Sequence, residues 1–173
     1  MNLIITCARH LEPETEEELM DVLEELGDSD LKVSITNMSG ILTADTKLDP
    51  VEVVKRIKKM IIDEPWSIRY CLRIIPIQKI IETEITEIEK SVIDLSNQIL
   101  ENETYRISIE KRNSELSSQE IITKIANKIK NKVSLEFPDK IILIEILGNK
   151  TGISILRKSD ILSTEKTKRS LSD

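Results

Sequence analysis

Between Leu3 and Ile77 the apolar pattern switches repeatedly between the two-residue period of a strand and the 3.6-residue period of a helix, and the order of those switches restricts the fold severely. Leu3–Cys7 is a short apolar run with β-branched residues, as in a strand. Thr15 and Glu18 have capping-box spacing, and Leu19, Val22, Leu23 and Leu26 then recur at helical spacing up to Gly27, predicting a helix over 14–26. Leu31, Val33 and Ile35 alternate with polar residues, Asn37–Gly40 makes a turn, and Ile41–Thr43 resumes, as in a hairpin. Asp49-Pro50 opens a second helix that ends before Glu64-Pro65. A long strand follows over 67–77, with Arg69 and Arg73 on one face about 13 Å apart at ~3.3 Å per residue. The order β-α-β-β-α-β is that of a ferredoxin-like unit, two split βαβ motifs, over residues 1–79.

A second unit occupies 80–158. Ile81, Ile85, Ile88, Val92, Leu95 and Ile99 form a narrow seam on one helix, too short for a coiled coil. Thr104 to Arg112 alternates almost without fault, as a half-buried strand does. Ser117 and Glu120 form another capping box, opening a helix with the buried stripe Ile121, Ile122, Ile125 and Ile129. Val133-Leu135-Phe137 leads into a Pro138-Asp139 turn. Ile141 to Leu147 is apolar apart from Glu145, as for a strand buried on both faces, and Gly148-Asn149 turns into a last strand over 151–156. Residues 159–173 are polar and predict a flexible, frayed tail. The whole is an α+β chain.

Composition excludes several functions. Four aromatics (Trp66, Tyr70, Tyr105, Phe137) are too few for a fold that stacks bases on aromatic platforms. Two cysteines and one histidine provide no four-ligand zinc set, and four glycines build no phosphate-cradling loop, so neither metal nor cofactor is expected. Cys7 and Cys71 lie in apolar surroundings and read as reduced, buried hydrophobes. His10 follows the first strand, but alternation of side chains discourages a dyad with Cys7, and the carboxylates crowd one helix instead of converging on a cleft. The reading is therefore of a binding protein and not an enzyme. With no export signal and no apolar run near ~20 residues, it is expected to be cytoplasmic, away from membranes.

The net charge of −6 hides a polarised distribution. Ten acids and no base lie between Glu12 and Asp30, while the remainder holds 25 bases against 21 acids. A mean charge therefore does not exclude a phosphate-binding face. The candidates for that face are Arg69, Arg73, Lys111, Arg112, Asn113, Lys124 and Lys128. Lys111-Arg112-Asn113 precedes the Ser117 cap by a few residues, and a helix N-terminus presents unbonded N–H groups and about half a positive charge to an anion. Lys124 and Lys128 stand four apart on one helix face, with Lys130 and Lys132 beyond. Such residues suit a phosphate backbone and supply little base readout. The plainer alternative is that the lysines only solubilise a helix and complement its C-terminal dipole.

The second unit resembles the THUMP domain, an RNA-binding module of tRNA-modifying enzymes. The resemblance is carried by residues 103–113 (ETYRISIEKRN), the helix opened by Ser117, the segment 133–140 (VSLEFPDK), and Ile144-Glu145-Ile146. The stretch 69–78 (RYCLRIIPIQ) is similar to the strand preceding the domain in a stand-alone subgroup, the tRNA-binding adaptors for cytidine acetylation. That resemblance implies a THUMP domain with a mixed sheet and flanking helices. It also implies a non-catalytic adaptor that presents tRNA to a separate cytidine acetyltransferase forming N4-acetylcytidine. Another class remains open: a ferredoxin-like regulatory or oligomerising module that binds a small ligand or a protein through a sheet edge. A third reading is the detached THUMP portion of a thiolation or methylation enzyme. The acidic helix 14–26 is expected to face solvent or a partner's basic surface.

Overall fold

The computed structural model describes residues 1–172. The chain divides into two compact units, one formed by residues 1–76 with 159–172, the other by residues 77–158.

The first unit contains β1 (Leu3–Cys7), α1 (Glu12–Glu25), β2 (Lys32–Ile35), β3 (Ile41–Asp45), α2 (Pro50–Asp63) and β4 (Cys71–Pro76), completed by β9 (Leu162–Ser163) and α5 (Thr164–Arg169). Its antiparallel sheet has the order β2-β3-β1-β4-β9, so the first four strands interleave as two split βαβ motifs. Leu19, Val22 and Leu23 of α1 pack with Val53, Val54, Ile57 and Ile61 of α2 against Leu3, Ile5, Leu42 and Ile74 of the sheet. Asp49 caps α2 as its sequence implies, its carboxylate accepting the Val51 amide at 2.9 Å.

Three expectations fail here. Thr15 is not a helix cap: α1 begins three residues earlier, and the buried Thr15 hydroxyl donates back to the Leu11 carbonyl at 2.7 Å. Glu12 anchors the helix start instead, accepting the Gly40 amide at 2.7 Å; this bond holds the Glu12 carboxyl below the usual range. Gly40 is required there, because its φ is +75° and a Cβ would stand 2.6 Å from the Cys7 carbonyl. The long strand over 67–77 shrinks to Cys71–Pro76, since Pro65–Ser67 is a 3₁₀ turn and the Glu18 carboxylate captures the next amides. The frayed tail expected over 159–173 is folded over its described residues, 159–172; Asp173 lies outside them. Leu162 is fully buried, β9 extends the sheet beside β4, and the Thr164 hydroxyl donates to the Cys71 carbonyl at 2.7 Å.

The buried Asp28 closes this unit's other end, accepting the Thr46 hydroxyl and the amides of Lys47 and Asp30. Burial pushes its carboxyl up, but these donors outweigh it, so the group is held below the ordinary aspartate range. The linked stability is present above about pH 4, the unfolded value, and disappears as pH falls through the lower folded value. Asp28→Asn is therefore expected to be less stable at pH 7, with a deficit that narrows steadily toward pH 2. Urea unfolding across pH tests this, and a deficit independent of pH would refute it.

The second unit contains β5 (Lys79–Glu82), α3 (Ile85–Leu95), β6 (Tyr105–Arg112), α4 (Ser118–Ala126), β7 (Lys140–Leu147) and β8 (Lys150–Leu156). Its mixed sheet has the order β5-β8-β7-β6, with β6 parallel to β7 and the other pairs antiparallel. Ile88, Val92, Ile121 and Ile125 of the helices cover Ile142, Ile144, Ile146 and Ile153 of the sheet. The seam from Ile81 to Ile99 is not one helix, because Lys79–Glu82 pairs with β8 and the helix stops at Leu95. The sheet change thus falls after Pro76 instead of Lys79. The Ser117 cap forms as expected, its hydroxyl accepting the Glu120 amide at 3.2 Å.

Candidate nucleic-acid interface

The end of β6 was the expected phosphate seat, and the structure ties Arg112 into an ion pair there while leaving Lys111 exposed. Parallel pairing places Glu110 beside Glu145 and Arg112 beside Leu147. From there Arg112 Nη1 donates to Glu145 Oε2 at 2.8 Å, between side chains 23% and 1% exposed. Lys111 is exposed, and its ammonium donates to the Leu116 carbonyl at 2.8 Å, just before the helix cap. Asn113 turns the chain with φ +53° and lines an open cavity of about 470 Å³ with Thr83, Ser114, Glu115, Gly148 and Asn149. Among the described residues, no lysine or arginine lines this cavity.

Lys124 lies on α4 and Lys128 just beyond its end. Lys128 forms an ion pair of 2.6 Å with Glu89 of α3. That bond, then the charges of Lys128 and Lys124, holds the Glu89 carboxyl below its usual range. The two lysines therefore share a face, as their spacing implies, and Glu89 partly neutralises it.

Sequence reasoning missed the loop that follows. The Tyr105 amide donates to the Lys132 carbonyl and the Ser134 amide to the Tyr105 carbonyl, so Val133 bridges the outer edge of β6. Arg106 Nη1 donates to the Leu135 carbonyl at 3.1 Å, and the Asp139 carboxylate accepts the Thr104 amide at 2.8 Å. Held in this way, the loop still exposes Val133 by 55%, Leu135 by 72% and Phe137 by 84%, beside the exposed Lys130 and Lys132. Alternation over 133–137 looks like a strand with one buried face, which concealed this exposure.

In the first unit Arg69 and Arg73 do not share a strand face. Arg69 is exposed ahead of β4, its guanidinium 5.9 Å from the centre of the Tyr70 ring. Arg73 is half-buried within β4, between Thr6 and Ser163. The acidic helix is more than a solvated face: Glu14, Glu17, Asp21 and Glu25 line a cavity of about 500 Å³ floored by Val22, Met60 and Tyr70.

The candidate nucleophiles are poorly placed. Both cysteines are buried; desolvation pushes the Cys7 thiol up and drives Cys71 higher still, which disfavours the reactive thiolate. His10 is exposed in a turn with φ +74°. Among the described residues, no three His, Cys, Asp or Glu side chains group to hold a metal, and no helix is long and apolar enough to cross a membrane.

This arrangement of a parallel β6–β7 pair, capped α4 and tethered loop lies within a segment that matches a known family. Residues 82–156 match the THUMP domain. The chain carries a THUMP domain. The domain includes Lys111, Arg112, Asn113, Lys124 and Lys128 but neither Arg69 nor Arg73. No curated protein matches the sequence. Among solved structures, PH1313 from Pyrococcus horikoshii Ot3 is similar at 19% identity and TM-score 0.61, over 91% of this chain and 55% of that one. TrmN from Thermus thermophilus is similar at 11% identity and TM-score 0.62, over 90% of this chain and 45% of that one. A 4-thiouridine synthetase, solved with RNA and ATP, is similar at 16% identity and TM-score 0.60, over 94% of this chain and 42% of that one. At these identities the likeness is one of fold, and it extends beyond the THUMP domain into the first unit. The chain spans about half the length of these structures.

Proposed function

We propose that this chain is a cytoplasmic, non-catalytic tRNA-binding adaptor that presents tRNA to a separate cytidine acetyltransferase for N4-acetylcytidine formation. The observation that carries the RNA-binding part is the THUMP domain over residues 82–156. The similar synthetase solved with RNA adds support. The acetylation role rests on the likeness of residues 69–78 to the stand-alone adaptors. Buried, protonated thiols fit a chain that binds without catalysing. In this reading Lys111, Asn113, Lys124 and Lys128 of the THUMP domain, with the neighbouring Lys130 and Lys132, approach phosphates; Arg69 and Arg73 do so from the first unit. Arg112 instead holds the strand that presents them.

Filter binding with bulk tRNA tests the RNA part. Affinity is expected to fall steeply with salt, because each neutralised phosphate releases counterions. Lys124→Ser/Lys130→Ser/Lys132→Ser is expected to weaken binding to all tRNAs alike and to lower the salt slope by about 2–3. No binding at ~50 mM salt, which favours phosphate contacts, would replace this reading with that of a regulatory or oligomerising module. The adaptor part is tested separately. Glu17→Ser/Glu24→Ser/Glu25→Ser is expected to abolish co-purification of the acetyltransferase from native extract while tRNA binding persists. Loss of tRNA binding instead would reverse the assigned role of the acidic helix.

A further inference from the structure

The acids of α1 recur at helical spacing along one side. Glu14, Glu17, Asp21 and Glu25 follow one another three or four residues apart, a stripe about 16 Å long at ~1.5 Å per residue. All four are exposed, and none is in an ion pair among the described residues. The stripe borders the cavity of about 500 Å³ floored by Val22, Met60 and Tyr70. Ser67 stands in the same wall, and its hydroxyl oxygen is buried with no hydrogen-bond partner among the described residues. Like charges at this spacing repel one another, so a cationic cover relieves the helix while apolar side chains dry the floor. This groove therefore calls for an occupant that is apolar at its centre and basic at its rim.

The second unit carries that description on its own surface. Val133, Leu135 and Phe137 are exposed on the loop outside β6, with Lys130 and Lys132 beside them. Neither lysine is in an ion pair among the described residues, and Glu136 is the one acid over 130–137. The Arg106 bond to the Leu135 carbonyl and the Asp139 bond to the Thr104 amide hold the loop in place, so its side chains lose little freedom on docking. Phe137 is the natural anchor for an apolar floor, and the lysines meet the carboxylates at the rim. An RNA or an anionic lipid surface would be repelled by the stripe. A second copy of this chain brings the matching loop at the same concentration as the groove.

We infer that the 130–137 loop of one copy docks in the acidic α1 groove of a second copy, so that the chain self-associates head to tail and tRNA dissolves the contact. Self-association stands on the two surfaces alone; its competition with tRNA rests on the RNA-binding reading above, because Lys130 and Lys132 serve both. While no tRNA is bound, the second copy also covers the acids that the adaptor reading turns toward the acetyltransferase.

Sedimentation of the full chain over micromolar concentrations tests this at low and high salt, since the Debye length shrinks from ~30 Å at 0.01 M to ~3 Å at 1 M. Association is expected to rise with concentration and to weaken with salt. Glu17→Lys/Asp21→Lys/Glu25→Lys and Lys130→Glu/Lys132→Glu are all surface changes, and circular dichroism establishes that both variants fold; Glu18, which is bonded into the fold, is left unaltered. Each variant alone is expected to stay monomeric, and an equimolar mixture to associate again, because each groove then finds a loop of opposite charge. Phe137→Ser is expected to weaken native association at least about tenfold. A native chain that is monomeric throughout at low salt overturns the proposal, as does a mixture of the folded variants that fails to associate. Association that survives saturating bound tRNA overturns the competition. Failure of tRNA to bind the native chain at all defeats the RNA-binding reading and leaves the charge-swap result standing.

Discussion

Glu18→Ala is expected to destabilise the first unit by about 2–3 kcal/mol, whereas Glu17→Ala and Glu24→Ala on the same helix change stability by no more than about 0.5 kcal/mol. Glu17 and Glu24 are exposed, whereas Glu18 is half-buried and bonded. The Glu18 carboxylate accepts the amide of Arg69 at 2.7 Å, that of Cys71 at 2.9 Å and that of Tyr70 at 3.1 Å. Three successive N–H groups thus converge on one anion, and hydrogen bonds to a charged acceptor are worth roughly twice neutral ones. Alanine leaves those amides without an acceptor where the chain enters β4, and partial burial keeps water from replacing all three. Urea unfolding of the three variants measures the contrast. Amide exchange gives an independent readout: Arg69, Tyr70 and Cys71 should lose protection in Glu18→Ala alone. Equal stability of Glu18→Ala and Glu17→Ala would show that the contact carries no weight.

That prediction marks where sequence reasoning reached its limit. Elements with local causes were legible. Asp49-Pro50 and Ser117 start helices through caps that need only neighbouring residues. The alternation of 104–112 needs only one buried face. What escaped depends on partners far along the chain. Arg69 could not be placed, because Glu18, 51 residues away, withholds its amide from the strand. The tail looked disordered because few of its residues are apolar, yet Leu162 completes the core and Thr164 bonds to a carbonyl 93 residues away. Lys79–Glu82 was absorbed into a helix because a four-residue edge strand declares itself only through β8. The candidate site suffered most. Spacing places charges on faces, but it does not say that Lys128 stands opposite Glu89.

The Arg112–Glu145 pair is the strongest case of this kind, and its disruption should have the largest effect. Glu145 sits on the central strand β7 with its side chain 1% exposed, and Arg112 reaches it from β6 at 2.8 Å. Removing one member of a buried pair leaves the other's charge in a poorly solvating interior, which costs about 3–5 kcal/mol. Arg112→Leu is expected to lose that much stability in urea unfolding. Replacing both members with apolar residues of similar size removes both charges together and is often neutral, so Arg112→Leu/Glu145→Leu should recover most of the loss. This cycle separates a supporting role from direct contact with RNA. If Arg112 supports the strand, the double variant folds and binds tRNA with nearly native affinity and an undiminished salt slope. If Arg112 touches phosphate, as its position before the Ser117 cap first implied, the double variant folds yet its salt slope falls by about one. The structure favours the first outcome, because its guanidinium already bonds a carboxylate that the sheet keeps from water.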